Sequence, residues 1–310
     1  MRTKIKNAVS SRATAIGLPI LALCWVSFFW GTTWIASKEG VKHMPALQLV
    51  AIRQFLGGFL YISFFLYKKA PWPKGKQWKT IIILSILSFV LSNGLSTWGV
   101  KYISSGLGAI IGALVPLWIV IITFFRGERL SRLSVIGLII SFSGVCVIFY
   151  DHLSDFLIPS FRFGIIISLI STLTWAFGTL YTKKKAATFS PSFSLGLQMF
   201  LSSIILFAYN GATGTSVSLS AIPAISWWSI AYLVVVGSIL TFIAFIYALQ
   251  NLPAEISTIY SYINPIVAII LGALIFGETL NAAIALGGSV TLFGLYMVNY
   301  SLRKTRKSKI

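Results

Sequence analysis

Two asparagines interrupt long apolar stretches of the chain, where an amide side chain could bind a polar solute. Asn93 lies near the centre of the stretch 80–99, and Asn264 lies near the centre of 255–276. An amide donates and accepts hydrogen bonds, so either residue could hold a zwitterionic or polar solute. Asn264 also precedes Pro265, which removes a backbone donor and frees a carbonyl one turn earlier. The alternative is hydrogen bonding between neighbouring helices, which is common in membrane bundles.

Arg53 is a cation inside an apolar stretch, the eighth residue of 46–67. A central arginine costs roughly 2.5–3.5 kcal/mol on membrane-insertion scales, so its position needs an explanation. It could anchor an anion or a carboxylate. Alternatively, it could reach outward to the membrane surface, or pair with Glu39 or a helix end. We favour the structural interpretation, because the corresponding residue of a similar later stretch, Gln198, is neutral.

Other kinds of chemistry lack suitable residues. No Asp or Glu lies in the middle of an apolar stretch, so a carboxylate proton relay has no candidate. His43 and His152 lie between stretches, which argues against a metal site. Cys24 and Cys146 are expected to be buried structural thiols. With no nucleophile arrangement and no glycine-rich phosphate loop, we expect no catalytic residue, no metal and no cofactor.

The apolar stretches themselves indicate an integral membrane protein. Of 310 residues, 57% are hydrophobic and 10% are charged, whereas soluble domains carry about 25% charged residues. About 20 apolar residues cross the hydrocarbon core as a helix, and continuous runs favour helices over a β-barrel. The sequence therefore predicts an all-α integral membrane protein whose ten transmembrane helices lie at roughly 18–37, 46–67, 80–99, 104–125, 133–150, 163–182, 193–210, 227–249, 255–276 and 282–301.

Lysine and arginine predict the orientation of these helices. Twenty of the 25 basic residues fall in the two tails and in alternate loops, four fall in the other loops, and Arg53 lies within a helix. Because basic loops stay in the cytoplasm, both termini are expected there, in a multi-pass protein of the cytoplasmic (inner) membrane. The net charge of +19 is thus a topology signal and does not indicate nucleic-acid binding.

The ten predicted helices form two similar halves. Gly127-Glu128 ends helix 4, and Gly277-Glu278 ends helix 9, 150 positions later. Further matches follow in order along both halves: Trp30 with Trp175, Pro116 with Pro265, Gly137 with Gly287 and Gly144 with Gly294. Five helices per half place the second half in the opposite orientation, so the repeats are inverted. We expect one five-helix repeat at 18–150 and another at 163–301, with basic cytoplasmic tails at 1–17 and 302–310.

The matched prolines and glutamates suggest different roles. A proline inside a helix permits bending, so Pro116 and Pro265 are candidate hinges, although a static kink is the alternative. A carboxylate at a helix C-terminus is unfavourable unless it is paired. We therefore expect a nearby arginine to pair with Glu128, and a capping or tertiary contact for Glu278.

Several stretches resemble a known family. These are "WGTTWIASK" in helix 1, "RQFLGG" in helix 2, "GLIISFSGV" in helix 5, and the endings "LVPLWIVIITFFRGERLS" and "INPIVAIILGALIFGETLN" of helices 4 and 9. Together they are similar to the drug/metabolite transporter superfamily, in particular to EamA-type permeases with ten helices in two repeats. The resemblance spans residues 18–300. It implies a 5+5 inverted-repeat bundle, export or exchange of small metabolites, and a central cavity lined by helices 1, 3, 4, 6, 8 and 9.

Aromatic residues lie on the helices that the resemblance places at this cavity. Aromatic faces can bind apolar or cationic solutes, while their N–H and O–H groups can orient polar ones. For tryptophans near helix ends, such as Trp98, an interfacial belt is the alternative. The candidate solute-binding residues are Trp30, Trp34, Asn93, Trp98, Trp175, Tyr247, Tyr260 and Asn264.

These observations favour a secondary transporter that exports or exchanges a small amphipathic metabolite, such as an amino acid. In an inverted repeat the halves can exchange shapes, which gives alternating access to a site near the midplane. The expected partners are the solute and the lipid bilayer, with the chain a monomer or a weak homo-oligomer. A membrane-embedded enzyme would need clustered ionisable groups at one depth. A non-transporting structural or sensory membrane protein is the third possibility, and interrupted helices argue against it.

Reporter tags at the two ends test the predicted orientation. Because basic residues concentrate beside both tails, tags fused before residue 1 and after residue 310 should both report the cytoplasm. The measurement is protease protection in sealed vesicles, with a tag in the 1–2 loop as the opposite-side control. A periplasmic signal from either end would refute the predicted topology.

Overall fold

Helices dominate the folded chain. The computed structural model describes residues 2–127, 131–185, 189–252, 259–279 and 281–307, and no strand occurs in these ranges. Its ten helices are α1 (Arg2–Gly40), α2 (Ala46–Tyr67), α3 (Lys76–Gly99), α4 (Ser105–Phe125), α5 (Arg132–Asp151), α6 (Pro159–Lys185), α7 (Pro191–Thr213), α8 (Ala224–Asn251), α9 (Tyr260–Phe276) and α10 (Ala282–Lys307). Within the described part, nine are long and apolar enough to cross a bilayer, and α9 is a shorter apolar helix. The predicted all-α membrane fold is confirmed.

Several helices extend beyond their apolar stretch. α6 and α7 begin at Pro159 and Pro191, and α8 follows Pro223, each before the predicted start. Proline suits a helix start because its missing N–H would have no intrahelical partner there. α1 and α10 also continue into the predicted tails, to Arg2 and Lys307. Hydrophobicity alone misses these ends, since lysine and arginine are good helix formers outside the membrane.

Helices α5 and α10 show how the two halves are related. A Cβ added to Gly137 would lie 2.8 Å from the Gly294 carbonyl oxygen, and one added to Gly144 would lie 2.5 Å from that of Gly287. The contacts are reciprocal, because Gly294 meets Gly137 and Gly287 meets Gly144. These glycines are the residues that the sequence repeat matched. A two-fold rotation that places α5 on α10 therefore interchanges these two contacts. Because the two helices are antiparallel, the axis of this rotation is perpendicular to them and lies in the membrane plane. The repeats are therefore inverted.

The remaining helices follow the same symmetry. α2 packs against α7 through another close approach, in which Gly58 lies against the backbone of Gly196 and Phe200. Between this pair and the α5–α10 pair lie the other six helices, where α1 packs against α8 and α9, and α6 packs against α3 and α4. α4 and α9 meet at the centre of this group. The six central helices are α1, α3, α4, α6, α8 and α9.

The two matched prolines lie in different local structures. α4 consists of Ser105–Gly112 and Val115–Phe125, so that Pro116 is the second residue of the later segment, after a break. α9 instead runs without a break from Tyr260 to Phe276 and contains Pro265. Pro116 therefore supports a helix start, whereas Pro265 is accommodated within a continuous helix. A hinge role for either proline stays a prediction.

Both cysteines differ from expectation. Cys24 and Cys146 are exposed on the surface of the bundle, although burial was expected. The reason is that a membrane protein presents apolar side chains to lipid, so a small apolar residue within a membrane helix need not face the protein interior.

Substitution of Gly144 tests the close packing of α5 on α10. Gly144→Ala would place a Cβ 2.5 Å from the Gly287 carbonyl and the Thr291 backbone nitrogen. We expect the free energy of unfolding to fall by roughly 1–3 kcal/mol, because neither backbone can move without separating the helices. The measurement is the unfolding midpoint in mixed micelles. The control is Gly211→Ala on α7, where the added Cβ meets nothing within 4 Å; equal stabilities for the two variants would contradict the proposed packing.

Candidate functional site

Two π-helical segments lie at matching positions in the central helices. They are Ser85–Asn93 of α3 and Leu233–Leu240 of α8, which begin 148 positions apart. A π-helix bonds each residue to the fifth along, is rare, and occurs frequently at functional sites. Neither segment contains proline, so a missing backbone donor does not explain either one. We therefore build the candidate site from the side chains that contact these two segments.

Three side chains converge on the π segment of α8. The indole Nε1 of Trp30 donates to the Gly237 carbonyl at 3.3 Å. The hydroxyl of Tyr61 donates to the Ser238 carbonyl at 3.2 Å, and the Nε of Arg53 donates to the Ser238 hydroxyl at 3.0 Å. The segment therefore has polar partners from both α1 and α2.

The π segment of α3 is held by the residue next to Arg53. The Gln54 amide nitrogen donates to the Phe89 carbonyl at 3.1 Å and to the Asn93 side-chain oxygen at 3.3 Å. Ser202 of α7 donates to the Gln54 side-chain oxygen. Arg53 and Gln54 thus bond to different π segments, and α2 connects them. Asn93 belongs to this network between helices, and its contact with a solute stays a prediction.

An aromatic cluster surrounds Trp30 where α1, α8 and α9 meet. The Trp30 ring centroid lies 5.1 Å from that of Phe242, 5.0 Å from that of Phe245 and 5.1 Å from that of Tyr260. All four side chains are half-buried. Edge-to-face and tilted pairs of this kind form a rigid apolar wall that can contact the apolar part of a solute. The structure thus brings together two predicted site residues, Trp30 and Tyr260.

Asn264 lies beside this cluster and joins α9 to α1. With its amide nitrogen turned toward the two facing carbonyls, it donates to Ser27 at 2.6 Å and to Tyr260 at 3.0 Å. A Cβ on Gly31 would lie 3.0 Å from the Asn264 backbone oxygen, so the two helices approach closely here. The amide therefore makes the helix-to-helix bond that was the alternative to solute binding, and it remains half-buried at the edge of the cluster.

The other predicted residues lie apart from the cluster. Trp34 packs on the glycine face of α4, where a Cβ on Gly108 would lie 3.0 Å from its ring. Trp175 is half-buried on α6, in the other half of the molecule, and Tyr247 is 40% exposed on α8. Trp98 lies toward one end of the bundle, with its ring 5.1 Å from that of Phe163.

Trp98 lines a pocket of about 490 Å³ that opens where α1, α3 and α7 end and α2 begins. We call this the pocket end of the bundle. Polar and aromatic groups line it together with apolar ones, including Lys42, His43, Lys101, Tyr102, Tyr209 and Asn210. The described lining contains no predicted site residue besides Trp98, so this pocket and the Trp30 cluster are separate features.

Glu278 joins two central helices at the pocket end. Its carboxylate accepts from the Ser105 backbone nitrogen and hydroxyl, both at 2.8 Å, and from the Gly106 nitrogen at 3.3 Å. It thereby caps the N-terminus of α4 from the end of α9, where negative charge is favourable. Lys38 lies within electrostatic range of it and donates to the Ile103 carbonyl at 2.5 Å. The expected tertiary contact of Glu278 is confirmed, whereas Glu128 lies outside the described residues.

The structure corrects the interpretation of Arg53. Its side chain is only 6% exposed, so it does not reach the membrane surface. Glu39 does not pair with it, because the Glu39 carboxylate contacts Lys42 at 2.6 Å. Sequence reasoning also missed Gln54 and Tyr61; Gln54 gives the same signal as Asn93, an amide within an apolar stretch. Among the described side chains, no three potential metal ligands of the His, Cys, Asp or Glu type cluster together.

Comparison with known proteins identifies the family. The model of the EamA-like transporter family matches the chain twice, at residues 17–150 and 162–300. The chain belongs to this family. Two matches in one chain agree with the two halves seen in the fold. As an EamA-like transporter it is a membrane protein of a transporter family, and the predicted resemblance is confirmed.

Similar proteins extend over nearly the whole length of this EamA-like transporter. One is 27% identical over 285 residues, covering 91% of this chain and 90% of the relative, and is named "Uncharacterized inner membrane transporter YedA" of Escherichia coli (strain K12). Another is named "Uncharacterized transporter YvbV" of Bacillus subtilis (strain 168). It is 25% identical over 300 residues, which cover 94% of this chain and 94% of the relative. A solved crystal structure has a TM-score of 0.65 at 15% identity, covering 93% of this chain and 98% of that chain, and it shares the fold.

Neutralising Glu278 tests the connection between α4 and α9. Glu278→Gln keeps the shape of the side chain and removes the charge that faces the α4 N-terminus. We expect the free energy of unfolding to fall by about 1–3 kcal/mol, because three charge-assisted bonds become weak or are lost. Glu39→Gln is the control, since it breaks a partly exposed surface pair with Lys42 that is worth at most about 1 kcal/mol. A larger loss in the control, measured by thermal unfolding in detergent, would contradict this assignment.

Proposed function

We propose that this EamA-like transporter exports or exchanges a small amphipathic metabolite by alternating access, and that amino acids are the first solutes to test. The observation that carries the proposal is the in-plane two-fold axis between α5 and α10, supported by their reciprocal glycine contacts. With such an axis, one half can adopt the conformation of the other, and the open side of the central site then changes.

The contacts at the pocket end support a closed state on that side. Glu278 links α9 to α4, and Lys38 links α1 to the connection between α3 and α4. Four of the six central helices are thereby joined at one end. In alternating access these contacts form when the pocket end closes and separate when it opens. They are few and polar, so water can replace their hydrogen bonds when they separate.

The proposed site lies at the Trp30 cluster, next to the π segment of α8. Its aromatic wall fits the apolar part of an amphipathic solute, and the polar groups of Asn264 and the π segment fit its polar part. Trp175, at the matching position of α6, would contact the solute from the other half. Pro116 and Pro265 remain the proposed hinges.

The proposed orientation places both termini and the basic loops in the cytoplasm of an inner-membrane protein, with the pocket end outside. The distribution of lysine and arginine supports this orientation. We propose that the chain acts as a monomer or a weak homo-oligomer, because each protomer has its own inverted pair of halves.

Counterflow in proteoliposomes tests the proposal. Vesicles loaded with one unlabelled amino acid from a broad panel should accumulate the same labelled solute transiently, because exchange through one site couples the two fluxes. Empty liposomes are the control. If a panel of amino acids, amines and small organic acids gives neither counterflow nor binding, the transport function is refuted.

Two substitutions test the proposed site. Trp175→Ala and Asn264→Ala should reduce counterflow about tenfold or more while the folded yield stays close to that of the wild type, since each removes a group that would contact the solute. Asn251→Ala is the matched control, because that amide bonds to the Tyr247 carbonyl of its own helix on the exposed surface. Loss of folded protein in step with lost counterflow would assign the two residues to packing.

A further inference from the structure

We propose that the guanidinium of Arg53 binds the carboxylate of the transported solute, and that the solute class is therefore small carboxylates with an apolar group. The inference rests on the proposed transport function and specifies the chemical class of the transported solute. It combines three observations: the burial of Arg53, the positions of the carboxylates, and the closeness of Arg53 to the Trp30 cluster.

Arg53 is buried within the apolar part of α2. It is 6% exposed and is the eighth residue of α2, about 11 Å along the helix axis from the first. Removing a guanidinium from water is costly unless an opposite charge and hydrogen bonds compensate for it. A membrane protein that keeps a charge at this depth generally uses it for a substrate, an ion or a partner residue.

The described carboxylates are placed elsewhere. Glu39 pairs with Lys42, Asp155 pairs with His152 at 2.6 Å, and Glu278 caps α4. For the described part of the chain, the structure gives Arg53 one hydrogen bond, from Nε to the neutral Ser238 hydroxyl. A guanidinium has five N–H donors in a planar fork, and the pair of donors on its outer edge matches the two oxygens of a carboxylate.

The fold itself does not require a charge at this position. The corresponding residue of the other half is Gln198, on α7, whose amide donates to the Ser194 hydroxyl of its own helix at 2.8 Å. Both residues are buried beside the same α2–α7 interface. The charge is thus a departure from the symmetry of the scaffold, and such a departure fits a function that only one half performs.

Arg53 and the aromatic wall meet at one glycine. A Cβ on Gly237 would lie 3.2 Å from Arg53 Nη2 and 2.9 Å from the Thr33 methyl carbon, and the Gly237 carbonyl accepts from Trp30. The absence of a side chain at Gly237 therefore keeps the guanidinium and the indole within one small region. A solute whose carboxylate binds the fork can place its apolar group against Trp30 and its neighbours, which defines the proposed class.

Matched acids and amides test the proposal in the purified full-length protein. The probes are phenylacetate with phenylacetamide and phenylalanine with phenylalaninamide, measured by calorimetric titration and by counterflow. The wild type should bind each acid about 30-fold or more tightly than its amide, because the amide lacks the charge that pairs with the guanidinium. Arg53→Gln, which installs the residue used by the other half, should remove this preference by weakening the binding of the acids. Arg53→Lys should retain part of it.

Two further variants sharpen the result. Arg162→Gln, on the exposed start of α6, is the control that should keep the acid preference. If Lys101→Gln removes the preference and Arg53→Gln keeps it, the pocket end holds the anion and the proposal is overturned. If Arg53→Gln does not fold, Arg53→Lys takes its place in the comparison, and a wild-type acid-to-amide ratio near one overturns the proposal.

The two proposals fail differently. Counterflow of amides or amines with no preference for acids would keep the transport function and refute the role of Arg53. Acid binding that depends on Arg53 without any counterflow would support the anion site and count against transport. Binding is measured independently of flux, so either result is decisive for Arg53.

Discussion

Side chains of α2 form hydrogen bonds with both π-helical segments at the centre of the bundle, and the arrangement of the central helices depends on these bonds. The hydrocarbon core offers no water, so polar groups at this depth need partners within the protein. Tyr61 and Gln54 donate to carbonyls of the π segments on α8 and α3, and Arg53 bonds to Ser238. Because these donors lie on one helix, a shift of α2 relative to the centre changes the environment of both segments together.

Symmetry and its exceptions have different roles in this molecule. The α5–α10 and α2–α7 pairs use close glycine contacts, which suit a scaffold because backbones that touch cannot slide freely. Two exceptions break this symmetry: Arg53 of α2 against Gln198 of α7, within the scaffold pair, and the interrupted α4 against the continuous α9, among the central helices. A transporter with two equivalent halves still needs one solute to bind in one orientation, and asymmetric side chains can provide it.

Much of the architecture could be predicted from the sequence, and less of the site. The apolar stretches, the matched glycines and the Gly-Glu endings gave the helices, their order and their inverted pairing, because membrane insertion depends on local hydrophobicity and charge. Trp30, Tyr260 and Asn264 were identified as polar or aromatic groups on central helices, but their closeness depends on packing between α1, α8 and α9. Trp98 and Tyr247 carried the same signal and lie elsewhere.

The sequence by itself determined that this is a helical membrane protein of two inverted halves. The reason is that the bilayer constrains the length and hydrophobicity of each spanning segment and the charge of each loop, which are local properties of the sequence. Only the tertiary structure decided that Arg53 is buried beside Ser238, that α3 and α8 contain π segments, and that Glu278 caps α4. These features depend on which helix faces meet, and the partners are 185 and 173 residues apart along the chain. A local pattern records the depth of a residue in the membrane, whereas its partner is fixed by the packing of the whole bundle.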